Sequence, residues 1–247
     1  MYDLARGVRT RLTFGPGSNF SPTWSPDGAE IAFASTREGS SPVFRKAANG
    51  AGNEERLHDS GTGTGDVPRS WSPDGRLLAL QSQTAQGNFN IWILPLSGER
   101  RPQQFLESRF EMGEPQFSPN GKWLAYASTE SGGSEVYIVP YPSGSGKLRV
   151  STAGGDFPRW RRDGKELYYL AFDDKIIAAE IRESSGKLGI GPPRALFQVP
   201  QIARVGYGHP YDVTADGSRF LVSVQTEQPA AESITLVINW PAELNKK

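Results

Sequence analysis

Five residues, WSPDG at Trp24–Gly28, return as WSPDG at Trp71–Gly75 and as FSPNG at Phe117–Gly121. They recur as WRRDG at Trp160–Gly164 and, reduced, as VTADG at Val213–Gly217. The Asp/Asn-Gly steps at Asp27, Asp74, Asn120, Asp163 and Asp216 are separated by 47, 46, 43 and 53 residues. A unit repeated at this spacing cannot bury a hydrophobic face alone and must stack on its copies, which restricts the chain to four-strand propeller blades or a helical array. Local pattern chooses between them. After each Asp/Asn-Gly comes a short β-rich run: AEIAFAS, RLLALQS, KWLAYAS, KELYYLA and SRFLVSV. Before each turn stands a brief segment ending on an aromatic or branched residue: SPTW, RSW, EPQF, FPRW and PYDV. Strand, Asp-Gly turn, strand is the hairpin signal, and long helical periodicity is missing.

Third strands follow as PVFRKAA, FNIWILPL, SEVYIVPY, KIIAAEI and ITLVINW, and fourth strands as ERLH, RPQQFL, KLRVS and PRALFQV. The expected architecture is therefore all-β, a five-bladed β-propeller of four-stranded antiparallel blades with the inner strand first. Repeats are expected at roughly 10–50, 51–98, 99–143, 144–188 and 189–240 within a single domain over residues 1–247. The last unit offers three strands, and TRLTF, Thr10–Phe14, has the character of a fourth strand without its own blade. Pairing TRLTF beside ITLVINW closes the ring and removes two free sheet edges. YDLA at Tyr2–Ala5 duplicates the end of a third strand, so the chain reads as a fragment of a longer protein with further blades.

Composition excludes several classes. Lys plus Arg equals Asp plus Glu at 27 each, so no net field recommends nucleic acid. Cysteine is absent, which removes disulfides and thiol chemistry. No apolar run approaches the length of a membrane span, and the N-terminus lacks the apolar segment of a signal peptide.

The linked motifs LTF…SPTWSPDG…IAFAS, FSPNGKWLAYAS…GGSEVYIVPYP, WRRDGKELYYLA and YDVTADGSRFLV…ITLVINWPAEL resemble the TolB-type, WD-like propeller repeats of bacteria. More narrowly, they resemble the C-terminal propeller region of bacterial eukaryotic-like serine/threonine protein kinases. That resemblance covers nearly the whole chain and implies a sensory or interaction module, extracytoplasmic in a membrane-anchored parent and otherwise cytoplasmic. No HRD, DFG or GxSxG motif is present, so neither a kinase core nor an α/β-hydrolase nucleophile elbow lies in this segment.

The repeated residues read as structural. Asp or Asn at the turn accepts hydrogen bonds from nearby backbone, Gly tolerates positive φ, and Trp24, Trp71, Phe117 and Trp160 wedge between blades. Residues that differ at matching places carry more functional information. Asn19, Asp66, Glu114, Asp156 and His209 are expected in the connections into the inner strands, around one mouth of the central channel, with Arg69 and Arg159 as partners for the acids. That polar ring reads as a binding site for a protein or peptide, with a small molecule or Ca²⁺ in the channel as alternatives, or as solvated loops with internal ion pairs. With two histidines in the chain, His58 and His209, a three-histidine metal site is impossible. His209 beside Asp156 or Asp212 would suit a general base; a loop histidine bonded to backbone is the plainer reading.

The expected function is a noncatalytic binding or scaffold module needing no cofactor. Its surfaces are the channel mouth and two long excursions, Ser184–Arg204 and Gln225–Ser233. A structural or homo-oligomerising module is one alternative. A propeller hydrolase of glycosidase or lactonase type, using Asp66, Glu114 and Asp156, is another.

Overall fold

The computed structural model describes residues 1–3, 5–37, 41–59, 65–84, 86–204 and 208–225. Every element in it is a β-strand. A short hairpin of β1 (Tyr2–Asp3) and β2 (Val8–Arg9) precedes the repeats. Three antiparallel four-stranded meanders follow. The first holds β3 (Asn19–Trp24), β4 (Glu30–Ser35), β5 (Val43–Ala47) and β6 (Glu55–His58). The second holds β7 (Asp66–Trp71), β8 (Leu77–Gln83), β9 (Phe89–Pro95) and β10 (Gln103–Leu106). The third holds β11 (Met112–Phe117), β12 (Trp123–Ser128), β13 (Glu135–Pro140) and β14 (Leu148–Arg149).

The fourth sheet departs from this plan. β15 (Asp156–Trp160) and β16 (Glu166–Leu170) lead into β17 (Lys175–Ser184), ten residues long. The inner half of β17 pairs with β19 (Arg194–Gln198), the expected fourth strand; its outer half pairs with β18 (Lys187–Ile190) as a projecting ribbon. Part of the Ser184–Arg204 excursion is thus ordered strand. The fifth sheet is described as β20 (Tyr211–Val213) paired with β21 (Phe220–Val222).

The recurrent turn explains the hairpins. Ser25 Oγ donates to Asp27 Oδ1 at 2.6 Å and accepts from the Glu30 amide at 2.9 Å, while Asp27 Oδ1 accepts from the Ala29 amide at 3.0 Å. Gly28 closes the turn at φ 71°, in the left-handed region where a Cβ is penalised. Ser72 with Asp74, Ser118 with Asn120 and Thr214 with Asp216 repeat the pattern, so the hydroxyl before the proline position belongs to the motif. In the fourth repeat Arg161 replaces the hydroxyl and grips Asp163 through Nε and Nη2.

Alternation along the middle strands builds the cores. Leu78 and Leu80 of β8 face the first sheet with Ala32 and Val43, whereas Ala79 between them faces the third sheet with Leu124 and Tyr126. Equivalent layers join the third sheet to the fourth through Ala125, Ile138, Leu167 and Tyr169, and the fourth to the fifth through Tyr168, Leu170 and Tyr211. At about 25 cal/mol per Å² of apolar area, these layers are the principal stabilising term. Trp71 and Trp160 act as wedges: their indole nitrogens donate to Thr23 O and Gln116 O of the preceding sheets, each at 3.2 Å. Trp24 occupies the same position but is 49% exposed.

Closure of the ring by TRLTF is not seen. Thr10–Phe14 forms no strand; Asn19 Nδ2 donates to Thr13 Oγ1 at 3.0 Å and the Lys46 ammonium sits over the Phe14 ring, so the segment lies against the first sheet, where its side chains find partners. Its expected partner ITLVINW, and all of Gln225–Ser233 beyond Gln225, fall outside the described residues. Among the described residues, no apolar core joins the fifth sheet to the first.

Candidate functional site

Inner strands β3, β7, β11 and β15 lie side by side in chain order, each interrupted by a bulge. A bulge gives one strand extra residues against its partner, so it re-aims side chains. The bulge adds one residue in every inner strand, so the level follows the count back from the wedge: Asn19 and Asp66 stand five residues before it, Asp156 four and Glu114 three. Asn19 pairs with Ser35 and Asp66 with Ser82, but the position equivalent to theirs, opposite Ser128, holds Met112. Glu114 lies two residues further along, inside the bulge at φ 54°, and Asp156 pairs with Leu170, one level deeper. Apart from His209, the expected ring residues are in the inner strands themselves and not in the connections into them.

Three of them meet. Arg69 Nη2 lies 2.9 Å from Glu114 Oε1, and His209 Nδ1 lies 3.2 Å from Glu114 Oε2. The pieces come from the second sheet, the third sheet and the segment entering the fifth. Arg69 also donates through Nε to Gln81 Oε1 at 2.9 Å, and its carbonyl accepts from Gln116 Nε2 at 3.0 Å. The His209–Glu114 approach lacks hydrogen-bond geometry, so both facing atoms keep unused bonding capacity. Burial pushes Glu114 toward protonation, but the Arg69 charge, the neighbouring His209 N–H and the Arg159 charge together outweigh it and hold the carboxyl below the usual glutamate range. Burial, then the Arg159 charge, lowers His209 to about 4 against the pull of Glu114, so the imidazole is neutral near pH 7. Burial and the Glu114 charge raise Asp156 to about 6.

Arg159 joins this group through its field and reaches toward Asp212, 3.7 Å from Nε. Tyr211 Oη donates to Phe157 O at 2.8 Å and ties the fifth inner strand to the fourth. Asn19 and Asp66 stand apart. Asn19 Oδ1 accepts from Arg37 Nη2 at 3.0 Å, and Asp66 accepts from Ser82 Oγ with His58 Nε2 at 3.2 Å. His209 finds Glu114 and not Asp156 or Asp212 as its acidic partner.

This ionic group separates two cavities. On one side, about 190 Å³ is lined by Gln81, Glu114, Ser134 and Asp156 among others. On the other, about 340 Å³ is bordered by the ends of inner strands from all five sheets, including Trp24, Trp71, Phe117, Trp160 and Asp212, with Arg69, Arg159 and His209 at its base. Gln81, Gln116 and Asp212 were not among the expected ring residues. Asp212 and Gln116 share one legible signal with Arg159, standing immediately before the wedge position. Among the described residues, no group of three or more His, Asp or Glu side chains is arranged to hold a metal ion. At Glu114 an arginine already supplies the positive charge that Ca²⁺ would bring.

Stacked antiparallel meanders around a shared axial cavity, each opened by the same turn, describe a propeller, and a family model narrows it: the TolB beta propeller domain (PD40) matches residues 60–235. The chain belongs to the TolB β-propeller family. Over 133 residues this TolB-type propeller is 32% identical to protein Atu1656 of Agrobacterium fabrum, covering 50% of this chain and 44% of that one. The chain thus spans less than half the length of that curated relative. A putative TolB from Agrobacterium tumefaciens superimposes with TM-score 0.60 at 20% identity, covering 72% of this chain and 64% of that one. An oligogalacturonate lyase solved in complex with manganese superimposes with TM-score 0.64 at 15% identity, covering 91% and 64%. At these identities both likenesses are of fold.

Proposed function

We propose that this propeller is a noncatalytic recognition module that takes an extended peptide segment of a partner protein into the 340 Å³ axial cavity. The observation that carries the reading is the make-up of that cavity: aromatic and proline side chains line it together with Arg69, Arg159, His209 and Asp212. Concave sites of this size with an apolar lining and a few convergent polar groups suit a ligand that offers both. Two of the three acids a hydrolase would use are occupied internally, Glu114 by Arg69 and Asp66 by Ser82 and His58. As part of a longer polypeptide the module would serve as a sensor, which is what the likeness to kinase-linked propellers implies.

A ring closed by five blades belongs to the same proposal. Trp71 and Trp160 each donate to the residue before the wedge position of the preceding sheet; for Trp24 that residue is Asp212, and both border the one cavity. With no native cysteine, a Thr23→Cys/Asp212→Cys pair reports directly: a short bismaleimide should bridge it within one monomer. For the binding reading, peptides selected from a random display library on the immobilised chain should lose at least tenfold in affinity on Arg159→Ala or Trp24→Ala. Failure of any peptide to enrich, or enriched peptides indifferent to both substitutions, would refute it.

One observation favours a hydrolase as the second reading: Glu114 and Asp156 line the 190 Å³ cavity with their acidities moved in opposite directions, the pattern of an acid and base pair. That cavity is below the roughly 300 Å³ of ordinary ligand sites, and Arg69 neutralises one of its two acids. Glycoside or lactone turnover abolished by Asp156→Asn would favour it over the binding module.

A further inference from the structure

The hairpin ahead of the repeats takes no part in the stack of sheets. β1 and β2 pair only with each other, Tyr2 with Arg9 and Asp3 with Val8. Cross-strand partners share a face, so Tyr2 and Arg9 lie on one side of the hairpin and Asp3 and Val8 on the other. Of nine large hydrophobic side chains exposed among the described residues, four fall in the first fourteen positions: Met1, Tyr2, Val8 and Phe14. Three of these four adjoin cations. The Arg9 guanidinium lies 5.9 Å from the Tyr2 ring centre, and the Arg11 guanidinium and Lys46 ammonium lie 5.4 and 5.7 Å from that of Phe14. Met1 joins Tyr2, Arg9, Thr10 and Arg11 in lining a cavity of about 540 Å³.

We propose that this patch docks on an anionic lipid bilayer. The first argument is charge. Asp3, the one acid in the first fourteen residues, lies on the other face, where it accepts from the Ala5 and Arg6 amides and pairs with Arg6. Glu54 is taken by Arg37. Glu30 and Glu55 are taken by Arg45, which leaves β5 on the face opposite its neighbour Lys46. Arg9, Arg11 and Lys46 enter no ion pair among the described residues. Basic and acidic side chains balance at 27 each over the whole chain, so this positive excess is local. The second argument is the apolar surface between the cations. An acidic peptide would answer the guanidiniums but leave Tyr2 and Phe14, 52% and 72% exposed, facing water. A bilayer interface answers both. Aromatic rings settle at headgroup level, arginine stems lie along apolar surface, and their guanidiniums reach phosphate oxygens.

The test uses the whole chain and sedimentation with vesicles of phosphatidylcholine, alone or with about one-third phosphatidylserine. The chain should partition onto the serine-lipid vesicles at least tenfold more strongly than onto the plain ones, and added salt should weaken the binding. Arg9→Ala/Arg11→Ala should lower partition at least tenfold, at about fivefold per arginine. Tyr2→Ser/Phe14→Ser should lower it at least fivefold while leaving binding to soluble polyglutamate unchanged. Both double variants should keep the wild-type melting temperature, because the substituted residues belong to none of the apolar cores. Arg159→Ala in the axial cavity should leave vesicle binding unchanged. No binding to the serine-lipid vesicles, equal binding to plain ones, full binding by either double variant, or loss of binding with Arg159→Ala would overturn the proposal. Full binding by the aromatic pair would make the patch a plain polyanion contact, suited to an acidic protein instead. The patch shares no residue with the axial cavity, so this reading and the peptide reading fail separately.

Discussion

Two buried groups at the axis should impose opposite pH dependences on stability, and substitutions should separate them. His209 is lowered from 6.5 to about 4 in the folded chain. Between those values the unfolded chain carries a proton that the folded chain refuses, so stability from this group is full above pH 6.5 and lost as the pH falls toward 4. Asp156 is raised from 3.8 to about 6. There the folded chain holds a proton that the unfolded chain has released, so this contribution is full below pH 3.8 and lost as the pH rises toward 6. Each pKa unit corresponds to about 1.36 kcal/mol, so each group is worth roughly 3 kcal/mol across its window. Between about pH 4 and 6 the two slopes cancel. Asp156→Asn removes one side of the balance, and its stability should climb with pH relative to the wild type by about 1.4 kcal/mol per pH unit. His209→Gln should fall relative to the wild type by the same amount. Urea unfolding at half-unit steps from pH 4 to 7 measures both, because only slopes are compared and a constant cost of either substitution drops out. Two variants with profiles parallel to the wild type would refute the placement of His209 and Asp156 as buried, oppositely shifted groups.

Glu114→Gln removes the carboxylate that meets the buried Arg69 guanidinium at 2.9 Å and should cost about 3–5 kcal/mol in chemical denaturation, a penalty relieved by the second change Arg69→Met. Trp71→Phe keeps the wedge but removes the donor to Thr23 O, and should cost about 1 kcal/mol in thermal unfolding. Gly217→Ala should be far more damaging than Gly28→Ala. Both residues have φ near 70°, but a Cβ at Gly217 would collide with Tyr168 Oη whereas one at Gly28 meets nothing within 4 Å, so Gly28→Ala should cost only the backbone term of about 1–2 kcal/mol.

Most strands were legible because their signals are local. The Asp/Asn-Gly turn is held by bonds spanning two to five residues, and the runs beside it alternate faces as a blade's middle strand must. The ribbon was less legible. KLGI is short, contains Gly189 and is flanked by Gly186 and Gly191, which read as loop until β17 proves long enough to pair with it. The axial site was legible in membership and illegible in arrangement. Arg69 and His209 both reach Glu114, yet Glu114 stands two residues nearer the turn than Asn19 and Asp66 do and so lies at another level. Those two turned instead to Arg37 and to His58 with Ser82, groups supplied by other parts of the chain that spacing alone could not bring to mind. The TRLTF segment illustrates the same point from the edge: its β-like run found partners on the first sheet through Asn19 and Lys46, not a strand neighbour.

From its amino acids alone this chain had to be a stack of antiparallel meanders. The turn chemistry is complete within a few residues, and its recurrence leaves each unit with two apolar faces to cover. What the tertiary structure decided was which polar groups meet at the axis and where an extra ribbon makes a cleft. Those outcomes depend on bulge register and on contacts between residues up to about a hundred positions apart, and no periodicity encodes them.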